Sequence, residues 1–380
     1  MKDVNKHLHI AMLGHKRIPS REGGIEVVVE ELSTRMVQSG HQVTCFNRSG
    51  HHVSGKQFDT TKLRKYRGIK LKSVPTINRK GLAAMSSSFF GSVFAAFGKY
   101  DVVHIHAEGP AFMCWLPKLF GKKVIVTIHG LDWRRAKWGP LASAYIMSGE
   151  KCAVKYADAV IVLSRGVQDY FWNTYSRKTV FIPNGVNKPQ KREADCITKQ
   201  FGLINDSYIL FLGRLVPEKG LKYLIQAFRE VKTDKKLVIA GGTSDTDDFV
   251  KEIRKIGEGD ARIIFTGFVQ GQALEELYSN AYIYILPSDL EGMSLSLLEA
   301  MSYGNCCMVS DIPECVEVVE DRAVCFRKGD INDLKSKLQT LCDDKLLVSG
   351  YKETAADFVC GKYDWRQVTQ QTADLYMGED

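Results

Sequence analysis

Short, predominantly apolar runs recur along this chain, each followed by a turn and then by residues spaced as on one helix face. Leu8–Gly14 (LHIAMLG), Gln42–Phe46, Val102–Ile105, Lys123–Ile128 (KVIVTI), Ala159–Leu163 and Thr179–Ile182 carry the rhythm through the first half. Tyr208–Leu212 (YILFL), Leu237–Ala240, Arg262–Thr266, Ala281–Leu286 (AYIYIL) and Cys306–Val309 restart it in the second. Runs of that length, apolar on both faces, belong inside a parallel sheet covered by helices on both sides. Strand and helix alternating twice over restrict the chain to an α/β fold with two parallel-sheet layers. The 380 residues also exceed one comfortable core. The polar stretch Lys188–Lys191 reads as a linker, so the expected domains are 1–190 and 191–360. A terminal helix over 361–380, with Trp365, Val368, Ala373 and Tyr376 on one side, is expected to pack back on the first.

The most informative stretch is Pro287–Ala300, PSDLEGMSLSLLEA. A strand precedes it, Gly292 sits at the break, and Leu295, Leu298 and Met301 recur at helical spacing with Ser294 as the expected N-cap. A strand, a glycine turn and a helix start present free backbone N–H groups and a positive dipole end to a phosphate. Glu291 and Glu299 bracket that anion site. Neither carboxylate suits a phosphate, so each is read as an acceptor for hydroxyls on either side of it, as in a sugar and a ribose. Arg214 and Lys219 flank a second strand-to-helix turn, GRLVPEKG, where their charges would neutralise a diphosphate.

The first half opens strand–loop–helix without the G-x-G-x-x-G of a dinucleotide site. A Gly23-Gly24 pair sits instead at the helix start, with Glu26 just inside. His106 and His129 close two strands, the end at which open parallel sheets bind ligands, and Asp132 follows His129 by three residues. The uncharged segment Gly81–Gly98 is too short and too rich in serine and glycine for a membrane span, and reads as a buried helix under the sheet. A lone D-x-D, Asp245-Thr246-Asp247, is a weak metal signal with no companion ligands nearby in sequence, so no metal is expected.

Charge is divided unevenly. Residues 1–190 hold 29 Lys and Arg against 12 Asp and Glu, whereas the rest carries an acidic excess. The densest basic stretch runs from Lys62 to Lys80, and Trp133–Trp138 mixes aromatic with basic residues. An anionic membrane surface fits this bias, each basic residue near it contributing about 1 kcal/mol. Nucleic acid is not expected, because no recognised binding motif accompanies the charge. The ten cysteines form no C-x-x-C pair and read as free thiols of a reducing compartment. The first ten residues lack an apolar signal core. The expected location is cytoplasmic, peripheral on the inner membrane face.

Taken together, Gly23-Gly24-Ile25-Glu26, His129, Pro183-Asn184-Gly185, Gly213-Arg214 with Lys219-Gly220, and the E-x7-E of Glu291 and Glu299 resemble glycosyltransferase family 4, the glycosyl transferases group 1 superfamily. The opening Gly14-His15-Lys16-Arg17-Ile18-Pro19 is similar to the rhamnosyltransferase-related branch of bacterial polysaccharide synthesis. The resemblance implies the GT-B fold, two facing Rossmann-like domains with a cleft between them. It implies that Arg214 and Lys219 bind the donor diphosphate, that Glu291 contacts the transferred sugar and that Glu299 contacts the ribose. The backbone of Gly292, Met293 and Ser294 would complete the phosphate site. Gly23 and Gly24 would lie against the donor phosphate and the acceptor, and His129 would hydrogen-bond near the donor sugar. Glu26, His106 and Asp132 fall on the acceptor side. Arg214, Lys219, Glu291 and His129 are thus the candidate catalytic residues.

The activity implied is retaining transfer from a nucleotide-diphosphate sugar to a glycan or polyprenyl-pyrophosphate-linked acceptor, with neither metal nor cofactor. Two other readings of the fold are a sugar-nucleotide epimerase, which needs an acid/base set around the ring that the sequence does not offer, and a non-catalytic subunit. The latter typically loses part of the Arg/Lys/Glu/Glu set, which is complete here.

Overall fold

The computed structural model describes residues 7–50, 63–77, 79, 81–135, 138–243 and 246–378. It divides into two compact units, Met1–Asn184 with Trp365–Asp380, and Gly185–Asp364.

The first unit carries strands β1 (His9–Leu13), β2 (Gln42–Arg48), β3 (Lys65–Tyr66), β4 (Ile69–Val74), β5 (Val102–His106), β6 (Lys123–Ile128), β7 (Ala159–Val162) and β8 (Val180–Phe181). They form one sheet in the order β3-β4-β2-β1-β5-β6-β7-β8, parallel except for the β3–β4 edge pair. Its helices are α1 (Gly24–Gln38), α2 (Leu82–Phe97), α3 (Glu108–Ala111), α4 (Trp115–Leu119), α5 (Pro140–Tyr156) and α6 (Arg165–Tyr175). The strands are buried on both faces: Val103, Ile105, Val124, Val126 and Ile128 meet helix side chains on one, and Ile10, Met12, Ile125 and Ile161 are enclosed on the other.

The second unit carries β9 (Tyr208–Leu212), β10 (Lys236–Ala240), β11 (Ile263–Gly267), β12 (Ile283–Leu286), β13 (Cys306–Ser310) and β14 (Val324–Phe326), in the order β11-β10-β9-β12-β13-β14 and all parallel. Its helices are α7 (Cys196–Phe201), α8 (Leu221–Glu230), α9 (Asp247–Gly257), α10 (Gln272–Asn280), α11 (Leu295–Ser302), α12 (Pro313–Val319), α13 (Ile331–Asp343) and α14 (Lys345–Lys362). The last helix, α15 (Trp365–Met377), belongs to the first unit. There the Arg35 guanidinium lies over the Trp365 ring, and the Tyr376 hydroxyl bonds His104 Nδ1 at 2.6 Å.

In both sheets the strand order runs outward from one strand and then restarts on its other side. The reversals fall at β1/β5 and at β9/β12. At such a switch point the connections leave in opposite directions and open a crevice beyond the strand ends.

The structure adds detail to one sequence expectation and changes two others. The basic stretch Lys62–Lys80 contains a strand, β4, whose Lys70 and Lys72 point outward between buried Ile69, Leu71 and Val74; Lys62 and Lys80 lie outside the described residues. The uncharged helix α2 is not buried. It turns Ser87, Ser88, Gly91, Ser92, Ala95 and Ala96 inward and leaves Leu82, Met85, Phe89, Phe94 and Phe97 exposed. Trp133 is no free interfacial anchor either: its indole packs against the unit's own hydrophobic core with Arg134 stacked on it, in a 3-10 turn over Asp132–Arg134. Ala136 and Lys137 of that loop lie outside the described residues.

Candidate active site

In the second unit the site grows from two turns side by side. After β9 the chain makes a 3-10 turn over Pro217–Lys219 and enters α8 through Gly220, whose φ of 68° is left-handed. A Cβ on Gly220 would lie 1.9 Å from the Pro287 carbonyl oxygen, so only glycine lets this turn sit against the one after β12. The Asp289 N–H donates to the Glu218 carbonyl at 2.8 Å and locks the two turns together. The juxtaposition brings Lys219 Nζ to Glu291 Oε1 at 2.5 Å, and the two side chains are only 11% and 10% exposed. Ser288 Oγ donates to the same oxygen at 2.6 Å.

Behind Glu291, Gly292 and Met293 lead into α11, and Ser294 caps it as expected, its Oγ accepting from Leu297 N–H. The N-terminus of α11 therefore stands beside the Lys219–Glu291 pair. Glu299, one turn before the end of α11, accepts from Tyr278 OH at 3.1 Å. Arg214 is half-buried directly after Gly213, whose N–H donates to the Ala240 carbonyl at the end of β10. Ser288 was missed in the sequence, although its place three residues before Glu291 was a signal.

In the first unit the crevice between β1 and β5 is walled by histidine. Gly14, with φ of 97°, passes so close to His106 that a Cβ would meet its carbonyl oxygen at 2.0 Å. His106 Nδ1 bonds His129 Nε2 at 3.0 Å, and the His104 ring lies tilted against that of His106 with centroids 4.1 Å apart. Burial pushes all three imidazoles down, His104 to about 3 and His129 to about 4, with their mutual repulsion adding to the effect at His104 and His106. They are neutral at physiological pH. His129 is half-buried, whereas His106 is fully enclosed behind it and cannot itself touch an acceptor. It orients His129 through their shared hydrogen bond.

Next to the histidines the backbone is strained. Ala107 holds φ 78° and ψ 155°, a region essentially reserved for glycine and costing about 1–3 kcal/mol. The strain aims Glu108 inward, where its Oε2 accepts the Asp132 N–H at 2.7 Å. Glu108 Oε1 and Glu150 Oε2 are both buried and meet no donor, while Glu150 Oε1 takes the hydroxyls of Tyr170 and Tyr175. Burial first, then Asp132 and Glu150, drives the Glu108 carboxyl up to about 10. A proton on Glu108 supplies the missing hydrogen bond between the two carboxyls. Neither Glu108 nor Glu150 stands out in the sequence.

Asp132 is tied through its carboxylate to Arg135 Nε at 2.6 Å. Gly23 is the N-cap of α1 and Gly24 its first residue. Glu26 folds back into the space that a Gly23 side chain would fill, and its Oε1 accepts the Lys16 N–H at 2.7 Å. Glu26 thus holds the loop that precedes α1. Among the described residues no three His, Cys, Asp or Glu side chains converge as metal ligands; Asp245 of the D-x-D lies outside them.

The family model described as Glycosyltransferase Family 4 matches residues 22–188, and that described as Glycosyl transferases group 1 matches residues 197–358. The chain is 25% identical, over 97% of its length and 98% of the relative's, to an uncharacterized glycosyltransferase of Methanocaldococcus jannaschii. It is 24% identical, over 75% of its length and 73% of the relative's, to the GDP-mannose:cellobiosyl-diphosphopolyprenol alpha-mannosyltransferase of Komagataeibacter xylinus. Its fold is similar to that of Anabaena HepE in complex with UDP and glucose, with a TM-score of 0.80 at 16% identity, covering 98% of this chain and all of that one.

Proposed function

The chain belongs to the glycosyltransferase family that these two models describe and has its GT-B fold of two parallel-sheet α/β domains, and from that premise we propose that it is a retaining, metal-independent transferase using a nucleotide-diphosphate sugar. The observation that carries the donor side is the Lys219–Glu291 pair beside the N-terminus of α11. An ammonium has three N–H donors, and Glu291 occupies one of them. The others, with Arg214 and the backbone N–H groups of Gly292, Met293 and Ser294, bind the diphosphate. Glu291 accepts a sugar hydroxyl and Glu299 a ribose hydroxyl.

The bond from the anomeric carbon to the distal phosphate oxygen breaks, and charge grows on that oxygen. Lys219, Arg214 and the helix dipole stabilise it in place, the kind of preorganised electrostatic help that is usually the largest catalytic term. The acceptor hydroxyl adds to the anomeric carbon on the same face, and its proton passes to the departing phosphate. His129, neutral through burial, orients by hydrogen bonding and takes no proton. Gly23 and Gly24 border the acceptor, with Glu26 and Asp132 fixing the loops around it.

The Komagataeibacter relative is named for a polyprenyl-diphosphate-linked acceptor, and that name supports a lipid-linked glycan here, in surface polysaccharide synthesis on the cytoplasmic side of the membrane. A thermal-shift and hydrolysis screen against UDP-, GDP-, ADP- and dTDP-sugars with EDTA present tests the reading. Stabilisation and slow hydrolysis with one of them is the expected result. Activity that appears only on adding a divalent metal would remove the metal-independent mechanism.

A further inference from the structure

Helix α2 is amphipathic in reverse. A surface helix normally turns its large apolar side chains to the core and charge to water. Here the inward side is small apart from the partly buried Phe90, and a Cβ on Gly91 would lie 2.7 Å from the Leu13 side chain, so α2 lies tight against the sheet. The outward side is Leu82, Met85, Phe89, Phe94 and Phe97, the last 69% exposed. No residue of α2 carries charge, and the hydroxyls of Ser86, Ser87 and Ser88 are spent on its own carbonyls.

The patch continues onto the neighbouring short helix. The Phe97 ring lies 4.5 Å from that of Phe120, and beside it Leu119 is 74% exposed and Trp115 also open. A contiguous apolar face of this kind marks an interaction surface on an otherwise soluble fold. Its border is basic. Phe94 shares a shallow depression with Arg64, Lys70 and Lys72, none of which has a carboxylate partner among the described residues.

We infer that the α2–α4 face, with the β4 lysines at its rim, is the surface by which this enzyme lies on an anionic lipid bilayer. Aromatic and aliphatic side chains enter the acyl boundary while lysine and arginine stay at the headgroups, the division that interfacial helices use. The helix lies on the bilayer rather than across it, since no described helix is long and apolar enough to span. A second copy of the chain is the poorer occupant, because it would bring two basic rims together. The inference rests on the proposed lipid-linked acceptor only for its purpose. It replaces the Trp133–Trp138 loop as the contact with lipid.

The test is co-sedimentation of the full chain with vesicles of phosphatidylcholine, alone or mixed with phosphatidylglycerol, at low and high salt. Binding to the mixed vesicles is expected, weakened severalfold by salt through screening of the rim. The double variant F89S/F97S should lose at least about tenfold in partitioning, since each ring withdraws apolar area from water. K70E/K72E, which leaves the apolar face intact, should bind mixed vesicles no better than neutral ones. Both variants should keep the donor-dependent thermal shift measured without vesicles. Wild-type protein left in the supernatant, or F89S/F97S that sediments like wild type, overturns the inference. So does a dimer in light scattering that F89S/F97S dissolves, which would give the face to a second copy. Vesicle binding without any response to nucleotide sugars would instead count against the donor reading and leave the surface standing.

Discussion

The two sheets reverse at equivalent points of one topology, yet the two crevices are chemically opposite. At β9/β12 the fold concentrates charge: Lys219 and Glu291 are paired with about a tenth of each side chain exposed, beside a helix N-terminus. At β1/β5 it suppresses charge: burial holds His104, His106 and His129 neutral, and Glu108 keeps its proton. All nine histidines of the chain lie in the first unit. Topology therefore decides where a crevice opens, and side chains decide what enters it. A charged, glycine-lined crevice suits a diphosphate, whereas a wall of neutral imidazoles offers hydrogen bonds without attracting ions.

The sharpest way to break this contrast is to take charge out of the second crevice. Lys219→Ala and Glu291→Ala should each lower turnover by about 10²–10³-fold, the usual effect of removing one preorganised electrostatic contact. Removing one member strands the other nearly buried, which costs stability as well. Glu291→Gln, which keeps the shape, separates the two effects: it should melt closer to wild type and still turn over poorly. Initial rates on the donor found in the screen, with circular dichroism as the check on folding, decide it. Wild-type turnover in a folded Lys219→Ala protein would take the pair out of the site.

How much of this was legible depends on the distance over which a contact is made. The strand–turn–helix units around Arg214 and Glu291 are local patterns, so the candidate donor residues could be named from sequence. That Lys219 and Glu291 touch could not, because they are 72 residues apart and meet only since β9 and β12 are neighbours. The Glu108–Glu150 contact depends on α3 lying against α5, and the His104–Tyr376 bond spans 272 residues. Helix α2 failed for another reason. Its composition was plain, but the rule that large apolar residues face inward gives the wrong side when the sheet fully buries only small ones.

A second test uses pH to separate the crevices. An unfolded histidine binds its proton near pH 6.5, whereas the folded His129 and His15 bind theirs near 4, and His104 near 3, chiefly because of burial. Between those values the unfolded chain holds more protons, so stability rises with pH and is lost on acidification from about 6.5 toward 4. The slope is at most about 1.4 kcal/mol per histidine per pH unit. The second unit has no histidine to contribute. Hydrogen exchange at pH 7 and pH 5 should show β5, β6 and α15 losing protection while β9 and β12 keep theirs. Earlier loss in the second unit would reject this division.

The last test concerns Glu108, whose sign is opposite. Its folded carboxyl binds a proton up to about pH 10, whereas an unfolded glutamate releases it near 4.5, mainly because the folded group is buried and then because Asp132 and Glu150 lie beside it. Over that window the folded state holds the extra proton, so this group makes stability fall as pH rises. Glu108→Gln cannot ionise. Its amide oxygen can still accept the Asp132 N–H, and its NH2 can donate to Glu150 in place of the carboxyl proton. The variant should lie close to wild type near pH 5 and melt increasingly higher toward pH 9, the gap in stability widening by up to about 1.4 kcal/mol per pH unit. Melting curves across that range give the answer. A Glu108→Gln protein that melts lower at every pH would mean that the carboxyl is ionised in the folded state and that the first crevice is charged after all.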